Sequence, residues 1–232
     1  MTFFRADEAY MENLRHRGRQ DGFKALFLFG LYISLVFLLG YLYTTSLPGA
    51  FLTAAGRFLD IVALGLAVAF LWLGHEKLKT IGINSNNPGK SLALGAIGGI
   101  ALVAAVTVAE AIGSGRPRVE AASLVVTVTF VIGAVSEEMV FRGYIQTRLV
   151  GLIKNSYLAS ALNAILFLSI HYPVKWVVSG EFSLWALPLT YVICLVLLHF
   201  LCDFVYRKTN CLWGSILLHA VYNIGGAVVV VG

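Results

Sequence analysis

Seven apolar runs alternate with short polar segments along this chain of 232 residues. Each run approaches the ~20 residues that a helix needs to cross the hydrocarbon core of a bilayer. The pattern predicts spans over residues 25–45, 50–74 (or from 57), 91–112, 119–149, from 156 through His171, 184–204 and 212–231. The segments between them hold the expected breakers, "SLPGA", "NSNNPGK", "GSGRP", "VSGEF" and "RKTN". The fold class this implies is all-α, a polytopic membrane helical bundle of about seven transmembrane helices, eight if one helix is missed. Gly95, Gly98 and Gly99 in the third run offer a close helix contact.

Composition fixes the setting. The chain is 59% hydrophobic and 12% charged, where a soluble domain carries about 25% charged residues. Its mean hydropathy is +0.83. These values exclude a soluble domain, and nothing points to nucleic-acid binding. The polar start "MTFFRADEAYMENLRHRGRQDGFK" lacks the apolar core and small-residue cleavage site of a signal peptide. Three regions follow: a cytosolic tail over 1–24, N-terminal spans over 25–118, and C-terminal spans over 119–232. Cys194, Cys202 and Cys211 show no C-x-x-C spacing and read as small buried hydrophobes. Tyr41, Tyr43, Trp72, Trp176 and Trp185 fall near predicted helix ends, as interface anchors do.

The placement of charge says more than the net +5. Thirteen of the 17 Lys and Arg residues fall in the tail, after the second span, around the end of the fourth, and after the sixth. The positive-inside rule then puts the N-terminus in the cytoplasm and the C-terminus outside the cell membrane.

Charge inside an apolar run is costly, roughly +2.5 to +3.5 kcal/mol per residue on insertion scales. Yet "AVSEEMVFRGY" places Glu137, Glu138 and Arg142 directly after one. Glu138 precedes Arg142 at i,i+4, the favourable order for an ion pair. Glu137 points about 100° away on an ideal helix and is left free for chemistry. Two more i,i+4 patterns lie in apolar runs: Phe167 with His171, and His219 with Asn223. Counting about 1.5 Å per residue from the basic ends puts Glu137 and His219 about 16 Å deep and His171 about 25 Å deep. Polar groups at such depth face one another or a water-filled cavity.

A carboxylate, two imidazoles and an amide are the parts of a hydrolytic site. Glu137 can act as general base on a water, with His171 helping to orient or deprotonate it. His219 and Asn223 can donate hydrogen bonds to an oxyanion. Alternatively, Glu137, His171 and His219 could ligate a divalent metal that carries the nucleophilic water. Water must reach such a site, so a cavity open to the cytoplasm is expected. His199 and Asp203 form a further i,i+4 pair, either interfacial or supporting the site. Arg57 and Asp60 read as a structural pair, Glu110 as interfacial, and Phe167 as packing beside His171.

At these residues the sequence resembles the CAAX-protease and bacteriocin-processing (CPBP, or Abi) family of intramembrane proteases, related to the type II CAAX prenyl endopeptidase. "EEMVFR" matches its EExxxR signature, "FLSIH" its FxxxH motif and "HAVYN" its HxxxN motif, in the family's order over about residues 123–224. The resemblance implies that Glu137 is the catalytic glutamate and His171 its partner in activating water. It implies that His219 and Asn223 form the oxyanion hole, supported by Glu138 and Arg142. The substrate would be a peptide or lipidated protein in or near the bilayer. The cofactor stays open between none, zinc and another divalent metal. The chain looks like a prokaryotic member, whose relatives are linked to bacteriocin maturation, self-immunity and peptide-signal processing. Two rivals stand beside this reading. One is a non-enzymatic scaffold or immunity protein of the same fold; the other is a transporter with a proton-coupling carboxylate, which would show inverted repeats that this sequence lacks.

Overall fold

A computed structural model describes residues 5–84, 86–114 and 116–231. Parts of the predicted tail (1–4) and of two predicted loops (85 and 115), and the final residue, lie outside the described residues. The architecture is an all-α membrane bundle. Lipid offers no partners to backbone N–H and C=O groups, so apolar runs satisfy them internally as helices.

Six helical segments are long and apolar enough to cross a membrane. They are α2 (Arg19–Tyr43), α3 (Gly49–Leu73), α4 (Pro88–Ser114), a compound span of α5 (Leu124–Glu137) and α6 (Thr147–Ile153), a broken span of α7 (Ser156–Ser169) and α8 (Pro173–Ser179), and α9 (Leu189–Thr209). The seventh expected span is α10 (Trp213–Val228), 16 residues long and about 24 Å by its rise. A short helix, α1 (Glu8–Arg15), precedes them, and its N-terminal amides are capped by Asp7. Prolines mark the starts: Pro48 precedes α3, Pro88 opens α4, Pro173 opens α8 and Pro188 precedes α9.

The basic segments gather at one end. Arg17 of the tail and Arg148 of α6 both pair with Glu76, at 2.6 and 2.7 Å. The Asp7 amide donates to the carbonyl of Arg207 at the end of α9 (2.8 Å), and the Tyr10 ring packs edge-on against Tyr206 at 5.1 Å. Burial pushes the Tyr10 phenol above its ordinary pKa, so it stays neutral. At the other end β1 (Pro117–Val119) pairs antiparallel with β2 (Val229–Val231), Arg118 opposite Val230. The tail and the C-terminal strand thus lie at opposite ends of the bundle.

The tightest helix contact runs between α4 and α10. The α-carbon of Gly95 faces the Gly214 backbone so closely that a methyl on either would collide. Gly99 meets Val221 and the Leu218 carbonyl in the same way. The glycines of the third run therefore make the expected close contact, and their partner is the helix that carries His219. Tyr41, Tyr43, Trp72 and Trp185 are exposed on the outer surface. Trp176 packs inward instead, donating to the Ser183 carbonyl at 2.7 Å.

Candidate active site

The site is built on the compound span. Between α5 and α6, residues Glu138–Gln146 widen into a π-helix, a rare form that collects at functional sites. Side chains support its carbonyls: Asn163 of α7 donates to Phe141 O at 3.1 Å, and the Thr147 hydroxyl to Gly143 O at 2.7 Å. Every residue from Glu138 to Leu149 is buried.

The widened turn keeps Arg142 beside Glu138, Nη1 to Oε1 at 2.9 Å, both side chains fully buried. The contact lacks hydrogen-bond geometry, and all three guanidinium nitrogens are without a hydrogen-bond partner among the described residues. The cation also lies over the Phe167 ring, 4.1 Å from its centroid.

Glu138 has a second partner, which the sequence did not announce. His219 of α10 places Nδ1 2.8 Å from Glu138 Oε1. An ionised carboxylate only accepts, so Nδ1 carries the proton and the ring is fixed in orientation. The opposite nitrogen, Nε2, then faces Glu137 Oε2 at 3.8 Å. Glu138 is closed to solvent, while the Glu137 side chain keeps 18% of its surface. The adjacent glutamates thus differ in environment.

His171 lies in a break in its helix. Helix α7 ends at Ser169, and Pro173 opens α8. Proline lacks the N–H a continuous helix needs, so the chain turns between them. His171 Nδ1 donates to the Phe167 carbonyl (2.9 Å), leaving Nε2 as the free acceptor. His171 stays beside Phe167, the rings 5.2 Å apart, but the depth count along one straight helix does not apply past this turn.

Phe167 is more than packing beside His171. Its ring lies 5.2 Å from that of His171, 5.9 Å from His199 and 6.1 Å from His219, and its face takes Arg142. One ring therefore spaces the charged and imidazole groups of four segments. His171 is joined to the cluster through it. Asn223 is half-buried, one helical turn beyond His219.

His199 and Asp203 are both buried inside the bundle. They are linked through Ser160: His199 Nε2 donates to its carbonyl (3.1 Å), and its hydroxyl donates to Asp203 Oδ2 (2.7 Å). Asp203 also accepts from Arg207 at 2.7 Å and from Gln146 of the π-turn. Gln146, Asn163 and Ser160 are the supporting residues that the sequence reading missed. Arg57 and Asp60 pair at 2.9 Å as expected, and the Ser136 hydroxyl, one residue before Glu137, donates to the Asp60 carbonyl at 2.5 Å.

Among the described residues no three His, Cys, Asp or Glu side chains are gathered so as to hold a metal ion. Glu137, His171 and His219 are not gathered as a ligand set in this geometry, although the Nδ1 bonds of both histidines leave each Nε2 turned away from its anchor.

The bundle thus gathers a buried glutamate, a half-buried one, an arginine and three histidines around one aromatic ring. Residues 120–225 match the family model "Type II CAAX prenyl endopeptidase Rce1-like". The matched stretch, just under half of the chain, contains Glu137, Glu138, Arg142, His171, His219 and Asn223 and supports the CAAX-protease family. No curated protein and no solved structure matches the chain.

Proposed function

We propose that the chain is an intramembrane endopeptidase that hydrolyses a peptide bond in a membrane-associated or lipophilic peptide or protein. The observation that carries this reading is His219, anchored at Nδ1 by Glu138 (2.8 Å) and facing Glu137 through Nε2 (3.8 Å). Glu137 takes a proton from water, and the resulting hydroxide adds to the scissile carbonyl carbon. The free Nε2 of His171 shares the positioning of that water. His219, protonated at Nε2, and the Asn223 amide donate to the oxyanion. The tetrahedral intermediate collapses, and Glu137 returns its proton to the leaving amine. Glu138 and Arg142 orient His219 without touching substrate. The bundle sits in the cell membrane with its basic end, and so the N-terminus, in the cytoplasm and the C-terminus outside.

The test uses purified protein in liposomes with fluorogenic C-terminal peptides, lipidated and unlipidated, with and without a chelator. Cleavage by wild type and none by Glu137→Ala, at unchanged thermal stability, is the expected result. Equal cleavage by the variant would overturn the role of Glu137. Loss on chelation and recovery with zinc would replace the glutamate–water mechanism by a metal one.

A further inference from the structure

The π-turn that carries Glu138 has to be held in register. In such a turn each N–H reaches back five residues instead of four, so the segment holds a residue more than an α-helix would. Passing that residue to a flanking helix would rotate one end of the turn against the other by about 100°. Glu138 opens the turn and Gln146 closes it. At the first end, Glu138 Oε1 takes His219 Nδ1 at 2.8 Å. At the other end a buried amide is fixed on both sides. Gln146 Nε2 donates to Asp203 Oδ1 of α9, and Gln146 Oε1 accepts from Asn163 Nδ2 of α7 at 3.2 Å. The same Asn163 nitrogen donates to the Phe141 carbonyl inside the turn at 3.1 Å. The Tyr10 hydroxyl of the tail lies 3.5 Å from Gln146 Nε2. Thr147 and Arg148 brace the turn from within, on the carbonyls of Gly143 and Tyr144, whereas Gln146 and Asn163 tie it to other helices.

Asp203 is the hub of this arrangement. One oxygen faces Gln146, the other takes the Ser160 hydroxyl at 2.7 Å, and Arg207 Nε lies 2.7 Å from both. Its place is thus set by α7 and by its own helix, so it offers the π-turn a fixed point. We propose that Gln146 and Asp203 are positioning residues of the reaction: they hold the register of the π-turn, and through it the orientation of Glu138 toward His219. Neither touches substrate. The inference rests on the hydrolytic reading for the kinetic arm of its test, whereas the spectroscopic arm stands without that reading.

The test is Gln146→Met in the full chain, which keeps an unbranched side chain and removes both amide bonds. Isotope-labelled histidine, read by NMR on protein in detergent micelles, reports the Nδ1–H of His219 on Glu138; the signal is assigned by its loss in His219→Gln. Gln146→Met is expected to move that signal from its wild-type position. In the liposome peptide assay its kcat should fall roughly 10- to 100-fold, the scale of a misplacement of about 1 Å, with KM within about twofold of wild type. Asp203→Asn keeps the volume and one acceptor oxygen. It should shift both readouts in the same direction by less, and it carries the test if Gln146→Met does not fold. Ser156→Ala removes a bond to Arg207 on the side away from the turn (3.1 Å) and should shift neither. A folded Gln146 or Asp203 variant that keeps the wild-type histidine signal overturns the proposal, whatever its loss of stability; so does one that keeps kcat with the signal moved. A wild type that cleaves no peptide removes the hydrolytic reading, and the histidine signal alone then decides whether these residues hold the register. Cleavage with an unmoved signal keeps the hydrolytic reading and removes this inference.

Discussion

In α3 and α4, 17% of the apolar stretch is buried inside the protein; in α9 and in the compound span of α5 and α6 the figure is 39%. The first pair presents side chains such as Phe58, Ile61, Ile97 and Ile100 outward, where lipid is as good a neighbour as protein. The second pair carries Glu138, Arg142, Gln146, His199 and Asp203, every one buried. Apolar side chains against lipid need only the right length and hydropathy. Buried charges need particular partners, and those partners fix helix rotation and depth. The N-terminal spans therefore tolerate sequence change where the C-terminal ones do not.

The largest effect expected is on chemistry. Glu137→Gln should lower peptide cleavage by roughly 10²- to 10⁴-fold, the range of a positioned acid–base group, with little change in unfolding temperature. Arg142→Met leaves Glu138 buried beside His219 without its cation. A loss of about 3–5 kcal/mol is expected, read by unfolding in detergent, because breaking a buried pair strands a charge. The N-terminal half has one place where it should behave like the core, the seam with α10. Gly95→Ala puts a methyl into the Gly214 backbone, and overpacking of that kind costs about 1–3 kcal/mol. The same change at Gly30, with open space around it, should be silent.

Glu76 sharpens the comparison through pH. Burial pushes its carboxyl up, but Arg148 and Arg17 outweigh that and hold it below the ordinary value of 4.5. A depressed carboxylate stabilises fully above its unfolded pKa, and that part is lost as pH falls through the lower folded value. Stability should therefore decline with acid below about pH 4.5, and Glu76→Gln should flatten that limb while costing about 1–3 kcal/mol at neutral pH. The smallest effect belongs to the lipid-facing surface: Ile97→Leu should change stability by no more than about 0.5 kcal/mol.

Much of this was legible in the sequence. Apolar length alone located the spans, because lipid admits helices and little else, and spacing alone paired Glu138 with Arg142 and Arg57 with Asp60. What was hidden has a common cause: it depends on residues distant in sequence. Nothing local says that Glu138 bonds His219, 81 residues away. Gln146, Asn163 and Ser160 are ordinary one at a time and form a network only once three helices bring them to Asp203. Two signals were there to be read. Pro173, two residues after His171, forbids an unbroken helix, and polar residues inside apolar runs need partners wherever they fall. The π-turn has no such local mark.

The docking of the tail has a consequence for the timing of assembly. Asp7 and Tyr10 emerge early, but their partners Arg207 and Tyr206 are made about 200 residues later. At 5–20 residues per second that gap is roughly 10–40 s of synthesis. The seat of α1 therefore cannot be complete until α9 has been made, so its final docking comes late in assembly.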